Sequence, residues 1–237
     1  MKKYLKGFMC AVFTILTIFT FTGCAKKVNL EQAIAYIDST SDVSGLENGF
    51  EVKTEDRHII ATFDNEENVT GMYNKEDNYE IWMNAEYLYV KITNNETVTK
   101  KKMRVDAVPE AYETYYNKKN NMAGYKNSGT KEYLKEMLSS YVEPCEENNI
   151  AYSLKKDKIF STTKIKFSAT DEDETLKATY KINYTYKNNK FVEYNFTVDY
   201  KNKTTGEKGQ TNQTIKAFNG KISMPKDADD YQDVSVT

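Results

Sequence analysis

The stretch LKATYKINYTYK, residues 176–187, decides the fold of this chain. Apolar side chains occupy every second position, and Lys, Thr or Asn stand between them. A period of two is typical of a β-strand with one buried and one solvated face. Asn188 and Asn189 follow, and both tolerate the left-handed angles of a tight turn. Residues 191–200 repeat the alternation, so the sequence predicts a long antiparallel hairpin. Its apolar positions are Leu176, Ala178, Tyr180, Ile182, Tyr184 and Tyr186, and then Val192, Tyr194, Phe196, Val198 and Tyr200.

Further strands are predicted on both sides of this hairpin. An earlier meander covers residues 50–54, 58–63, 69–73, 79–83 and 87–92. Residues 150–154, 160–169 and 210–218 flank the hairpin, and the last segment is the most polar, which predicts a sheet edge. Trp82 lies on the opposite side of its strand from Ile81. We expect it to lie beneath a second apolar layer rather than to form a ligand platform.

Helical periodicity appears in two places. Residues 29–37 carry one apolar stripe, with Asn29 as N-cap and Gln32 completing a capping box. In the middle of the chain, Asp106 is predicted to cap a first helix, and residues 124–129 are predicted to form a loop. A stronger helix begins after Thr130 and is predicted to end at Pro144. Its apolar positions are Leu134, Met137, Leu138, Tyr141 and Val142. The order of elements predicts an α+β fold, a curved antiparallel sheet with helices packed on one face.

The N-terminus has the pattern of an export signal. Lys2, Lys3 and Lys6 precede fifteen uncharged, mostly apolar residues at 8–22, which is short for a membrane span of roughly 20 residues. The apolar segment is not followed by an Ala-x-Ala cleavage site. It is followed by Gly23-Cys24, and the end of the segment resembles the lipobox of bacterial lipoproteins. The resemblance implies a lipoprotein signal peptide at residues 1–23 and lipid attachment to Cys24. An uncleaved anchor helix or plain secretion is the alternative.

Removal of residues 1–23 leaves 214 residues, which are expected to form a single α+β domain over 24–237. The remaining 30 basic and 35 acidic residues give a formal charge of −5, and the scattered lysines disfavour nucleic-acid binding. If Cys24 carries lipid, Cys145 has no disulfide partner, and we interpret it as an unreactive, partly buried thiol.

The sequence offers no catalytic constellation and no metal or cofactor motif. His58 is the only histidine, and it falls inside a predicted strand, where we expect it to face solvent. Asp64 begins a stretch that imitates a calcium loop, but Val69 replaces the required glycine, so we predict a hairpin turn. The acidic residues 171–174 are interpreted as a solvated turn. These observations predict a protein that is not an enzyme.

The chain downstream of Cys24 resembles the LolA/LppX-like family of lipoprotein carriers and lipid-binding lipoproteins. The resemblance rests on the helix after the lipobox, the hairpin EIWMNAEYLYVK, the mid-chain helices, the second meander and the closing ISMPKDADDY. It implies a half-barrel sheet closed by helices, with an apolar cavity that holds acyl chains. No site residue of the family is carried over by motif.

Two functions are therefore expected from the sequence. The first is a non-enzymatic lipoprotein, extracytoplasmic and anchored to the bacterial cell membrane, that binds a lipid or other apolar ligand between sheet and helices. The alternative is a surface interaction module that recognises cell-wall carbohydrate or a protein partner through exposed aromatic residues such as Trp82.

Overall fold

The computed structural model describes residues 25–142, 145, 150–157 and 161–236. Within these residues the main element is one open, curved sheet of 13 strands. In chain order the strands are β1 (Lys26–Val28), β2 (Gly49–Lys53), β3 (His58–Phe63), β4 (Val69–Glu76), β5 (Tyr79–Met83), β6 (Tyr87–Asn94), β7 (Thr97–Arg104), β8 (Ile150–Asp157), β9 (Thr162–Glu172), β10 (Leu176–Lys187), β11 (Lys190–Asn202), β12 (Lys208–Ala217) and β13 (Gln232–Asp233).

The described helices are few and short by comparison. They are α1 (Leu30–Asp38), α2 (Glu113–Tyr116), α3 (Met122–Asn127) and α4 (Lys131–Val142), with 3-10 turns at Glu110–Tyr112, Asn117–Asn121 and Ala228–Asp230. The capping box of α1 is confirmed, because Asn29 Oδ1 accepts from the backbone N–H of Gln32 at 2.8 Å and Gln32 Oε1 accepts from that of Asn29 at 3.2 Å. The predicted start of α4 is also confirmed, since Thr130 Oγ1 accepts from the backbone N–H of Tyr133.

Two meanders join into one sheet through β12 and β2. The strand order is β1-β8-β9-β10-β11-β12-β2-β3-β4-β5-β6-β7-β13, and every pairing is antiparallel except that of β13 with β7. The prediction that β12 is an edge strand is wrong, because Thr214–Ala217 pairs with Phe50–Lys53. Its more polar first half, residues 208–213, pairs with β11 alone among the described strands, which explains the edge-like composition.

The long hairpin is confirmed, with one correction in its second strand. Asn188 and Asn189 have positive φ angles of 49° and 65°, as the turn requires. A β-bulge between Thr185 and Tyr186 then pairs Tyr186 with Phe191 and Thr185 with Glu193. The extra residue shifts the alternation by one, so Phe191 is buried in place of Val192.

Two mid-chain predictions are wrong. Residues 124–129 were expected to form a loop, but Gly124 lies within α3. Glycine costs about 1 kcal/mol in a helix, and packing offsets this cost because Met122 is buried and the Tyr125 ring lies 5.7 Å from that of Phe50. Asp106 caps no helix, since its carboxylate is held by Arg104 at 2.7 and 2.9 Å.

The two sides of the sheet differ in composition. We call the side that carries Phe50, Ile81, Leu88, Ile182 and Tyr184 the apolar face, because these side chains are buried in one continuous core. The opposite side, which we call the polar face, carries mainly Lys, Thr, Asn and Gln on the strands after β8.

A small second layer covers part of the polar face over β4–β7. The C-terminal segment, residues 219–236, brings Tyr231 to 5.4 Å from the ring of Tyr89 and 6.4 Å from that of Trp82. Tyr231 is only 4% exposed. The prediction that Trp82 lies beneath a second apolar layer is confirmed.

Candidate functional site

Cys24, the predicted lipid-attachment residue, lies outside the described residues, as does the rest of the predicted signal. The described chain begins at residue 25 and enters β1 at Lys26, two residues after Cys24. None of the helices that the structure describes combines the length and the apolar character that a membrane span requires. Lipid attachment to Cys24 stays a prediction.

A cluster of tyrosines lies where α4 meets the apolar face, and we call it the tyrosine layer. Its members are Tyr133 and Tyr141 of α4, Tyr184 and Tyr186 of β10, and Tyr194 of β11. The rings of Tyr184 and Tyr194 lie 5.8 Å apart, and Tyr141 contacts Phe196, which stacks on Tyr194. Tyr36 of α1 adds an edge-to-face contact with Tyr186 at 5.5 Å. Aromatic side chains from α1, α4 and two strands therefore meet in one place.

The hydroxyl groups of this layer differ in whether they have a hydrogen-bond partner. Tyr184 Oη donates to the main-chain carbonyl oxygen of Leu134 at 3.0 Å. The hydroxyls of Tyr186 and Tyr194 are buried and have no hydrogen-bond partner among the described residues. A buried hydroxyl without a partner costs about 1–3 kcal/mol. Two such groups in one layer mark a place where an acceptor oxygen would be stabilising.

Burial keeps these phenols neutral. Desolvation raises the pKa of Tyr184, Tyr186 and Tyr194 above the usual phenol value. Desolvation likewise raises the pKa of Tyr152, on β8 two strands from β10, to about 12. A neutral phenol donates a hydrogen bond but is not a base at physiological pH. The layer is suited to holding an acceptor oxygen and an apolar body.

A groove of about 880 Å³ lies beside β1, at the same end of the sheet as the tyrosine layer, and extends to Lys181 and Asn183 of β10. Its lining includes Ala151, Ser153 and Ser168, whose small side chains leave a depression between longer neighbours. Tyr152 and Phe167 also line it, but their side chains are buried in the core. Since neighbouring residues in a strand point to opposite sides, they contribute backbone to the groove. The groove is therefore an open feature of the polar face.

Cys145 has the features of the unreactive, partly buried thiol that the sequence predicts. It is free and half-buried, and its Sγ donates to the carbonyl oxygen of Tyr141 at 3.3 Å. Burial is the main cause that raises the pKa of the thiol, and the negative charge of the nearby Asp171 is the second cause. A raised pKa lowers the thiolate fraction and with it the reactivity.

His58 lies on the polar face of β3 with its side chain about 31% exposed, as predicted, and it belongs to a cluster of charged groups there. Its Nε2 lies 2.9 Å from Glu51 Oε1, and Lys53 and Lys216 contact the same carboxylate at 2.6 and 2.8 Å. Burial acts to raise the pKa of Glu51, but hydrogen bonds from Lys216, Lys53 and His58 outweigh it and lower the pKa to about 2. The cluster is placed to stabilise the β12–β2 junction, where the two meanders meet.

The two acidic segments behave as turns. Asp64 Oδ1 accepts from the backbone N–H groups of Glu66 and Asn68, which confirms the predicted hairpin turn. In the second turn, Glu172 is held by Lys177 and Lys203. Within the described part of the chain, no group of three or more His, Cys, Asp or Glu side chains is placed to hold a metal ion.

Comparison of the chain with protein-family models, with curated proteins and with solved structures gave no significant match. The resemblance to LolA/LppX-like proteins therefore stays an expectation from the sequence.

Sequence reasoning placed the tyrosines on the right face but missed two features of the site. The unpaired hydroxyls depend on what α4 brings over the sheet, and no local pattern encodes that contact. The sequence does contain a sign of the groove, because Lys164 and Lys166 occupy alternate positions of β9, on the side opposite the apolar face. Such a pattern indicates a cationic sheet face only once the neighbouring strands are known.

Proposed function

We propose that this chain is a non-enzymatic lipoprotein, held on the extracytoplasmic side of the bacterial cell membrane by lipid on Cys24, that binds a lipid or another apolar molecule between its sheet and its helices. In this proposal the curved sheet is a half-barrel, and α1 and α4 close its apolar face. The contacts of Tyr36 with Tyr186 and of Tyr184 with Leu134 support that arrangement.

The observation that carries the binding role is the pair of buried, unpaired hydroxyls on Tyr186 and Tyr194. Both are donors in an apolar layer, so each favours a ligand oxygen, such as that of a carbonyl or carboxyl group, attached to an apolar body. The rings of the layer pack against one another, and an acyl chain would enter only if α4 moved away from the sheet. The ligand would then replace ring contacts and satisfy the two donors.

The alternative role, recognition of wall carbohydrate or a partner through exposed aromatic residues, has less support. It needs a contiguous exposed aromatic patch. Among the described large hydrophobic residues that are exposed, the only aromatic one is Tyr200, at 36%. Trp82 is half-buried beside Tyr231.

The test compares the bound lipid of three proteins. The full chain is extracted from membranes in a detergent-free polymer, washed, and treated with organic solvent, and the released lipid is quantified by mass spectrometry. Lipid attached covalently to Cys24 stays on the protein and does not interfere.

We expect wild type to release one lipid class in a near-stoichiometric amount. The double variant Tyr186→Phe/Tyr194→Phe keeps both rings and removes both donors, so it should release several-fold less. Tyr200→Phe, at an exposed tyrosine of the same strand as Tyr194, is the matched control and should behave as wild type. Equal release from wild type and the double variant would contradict the proposed site.

A further inference from the structure

Five lysines lie in three adjoining rows on the polar face of four neighbouring strands, at the end of the sheet nearest Cys24. We call them the lysine patch: Lys27 on β1, Lys155 on β8, Lys164 and Lys166 on β9, and Lys181 on β10. All five are exposed. They lie on or beside the floor of the groove described above, which Lys27, Lys166 and Lys181 line.

Strand register places these side chains together. Lys27 pairs with Ser153, Ser153 with Lys166, and Lys166 with Asn183, so one row crosses four strands. The next rows contain Ala151, Ser168 and Lys181 on one side, and Lys155, Lys164 and Thr185 on the other. Residues paired across strands point to the same side of a sheet, about 5 Å apart. The rows form a cationic surface with hydroxyl and amide donors between the ammonium groups.

Most of this charge is uncompensated. Lys181 is paired with Asp199, whereas the other four lysines form no ion pair with any described residue. The acidic groups of the same face lie at its borders, with Asp157 at the end of β8, Glu172 at the end of β9, and Glu193 and Asp199 on β11. The centre of the patch is therefore positive although the chain as a whole is acidic.

The predicted anchor fixes how close this surface lies to the membrane. An extended chain spans at most about 3.6 Å per residue, so Lys27 lies within about 11 Å of Cys24. Lys166 is two strands further on, at about 4.8 Å per strand. Electrostatic attraction acts over roughly 8 Å at physiological ionic strength. The tether is therefore short enough for these lysines to come within that range when the polar face is turned toward the membrane.

The charge on α1 favours the same orientation. This helix also lies next to the anchor, and it contains Glu31 and Asp38 but no lysine or arginine. Asp38 is paired with Lys135 of α4 at 2.7 Å, which leaves Glu31 as the charge of the helix without an ion pair to a described residue, so an anionic membrane surface attracts the lysine patch more strongly than α1.

We infer that the lysine patch is a docking surface for the anionic phospholipid headgroups of the membrane that holds the anchor. The serine, threonine and asparagine side chains between the lysines supply further hydrogen-bond donors to phosphate oxygens. Docking through this face turns the opposite, apolar face with α1 and α4 away from the headgroups. The inference rests on the proposed lipid attachment at Cys24.

The experiment is lysine footprinting of the full, membrane-extracted chain in nanodiscs. One set contains phosphatidylcholine alone, and the other contains phosphatidylcholine with phosphatidylglycerol. Brief acylation is followed by mass spectrometry of each lysine. Lys75 is the internal control, because it is exposed on the polar face of β4, has no ion pair with a described residue, and lies five strands from Lys181, about 24 Å along the sheet.

We expect acylation of Lys27, Lys155, Lys164 and Lys166 to be about threefold or more slower in the anionic discs, and the difference to vanish in 1 M salt. Lys75 should react equally in both. Lys164→Gln/Lys166→Gln should remove the protection of Lys27 and Lys155, whereas Lys75→Gln should leave it unchanged.

Equal acylation of the patch in both kinds of disc would overturn the docking inference. The intact mass of the same sample separates this failure from that of the proposed function. If Cys24 carries lipid and the patch is unprotected, only the docking inference fails. If Cys24 carries no lipid, the anchor and the docking inference fail together.

Discussion

Tyr184 and Leu134 are joined by a hydrogen bond of 3.0 Å, which the phenol hydroxyl donates to the main-chain carbonyl oxygen. Both residues are almost fully buried. The bond connects the longest hairpin of the sheet to α4, so it is the most direct polar contact between the two layers of the proposed half-barrel.

Removal of this bond should weaken the fold. Tyr184→Phe keeps the ring and loses one buried hydrogen bond, so we expect a loss of about 1 kcal/mol in the free energy of unfolding. Urea denaturation followed by circular dichroism measures it. Tyr200→Phe is the control and should stay within about 0.5 kcal/mol of wild type, since it changes an exposed residue. A Tyr184→Phe variant as stable as wild type would show that the bond contributes nothing.

The apolar packing of α4 leads to a second prediction. Leu138 has no exposed surface and belongs to the core cluster, so Leu138→Ala should cost about 3 kcal/mol through lost burial and the cavity left behind. Ser139→Ala changes the exposed next residue and should cost less than about 0.5 kcal/mol. The urea midpoints of the two variants measure this difference in stability. Similar midpoints would contradict the packing of α4 on the apolar face.

Local sequence predicted most of these elements, and long-range pairing accounts for the corrections. The alternation of β10 and the cap at Asn29 are local properties, and both were found as predicted. The burial of Phe191 was missed because a bulge depends on the partner strand. The interior place of β12 was missed because β2, its partner, lies far away in the sequence. The unpaired hydroxyl of Tyr194 was missed for a related reason, since burial under α4 is a tertiary property.

The cluster around Glu51 makes stability depend on pH. The pKa of Glu51 is lowered from 4.5 to about 2 in the folded protein. Its contribution is therefore fully present above pH 4.5 and is lost as the pH falls toward 2. Because the lysines that contact it are about half exposed, we expect Glu51→Gln to cost roughly 1–3 kcal/mol at pH 7.

Urea denaturation at pH 7, 4.5 and 3 checks this prediction. The stability difference between wild type and Glu51→Gln should change little between pH 7 and 4.5 and shrink clearly between pH 4.5 and 3. Glu47→Gln changes an exposed carboxylate in the same region and should show little difference at any of these values. A difference for Glu51→Gln that does not change with pH would contradict the role of its charge.

The C-terminal segment provides a spectroscopic prediction, because Trp82 is the only tryptophan. Tyr231 packs on Trp82, so Tyr231→Ala should expose the indole, shift its emission to longer wavelength, and cost about 3 kcal/mol. Tyr231→Phe keeps the ring, and the hydroxyl it loses has no partner among the described residues, so this variant should resemble wild type. An unshifted emission maximum in Tyr231→Ala would show that the segment does not cover Trp82.

The central claim is that Cys24 attaches this domain to a membrane, and the intact mass of the membrane-extracted chain tests it most directly. We predict a mass that lacks residues 1–23 and exceeds that of residues 24–237 by a diacylglyceryl group and, where the host adds it, a further acyl chain. A Cys24→Ala variant should lack this added mass. A wild-type mass equal to the unmodified polypeptide, with or without residues 1–23, would contradict the account.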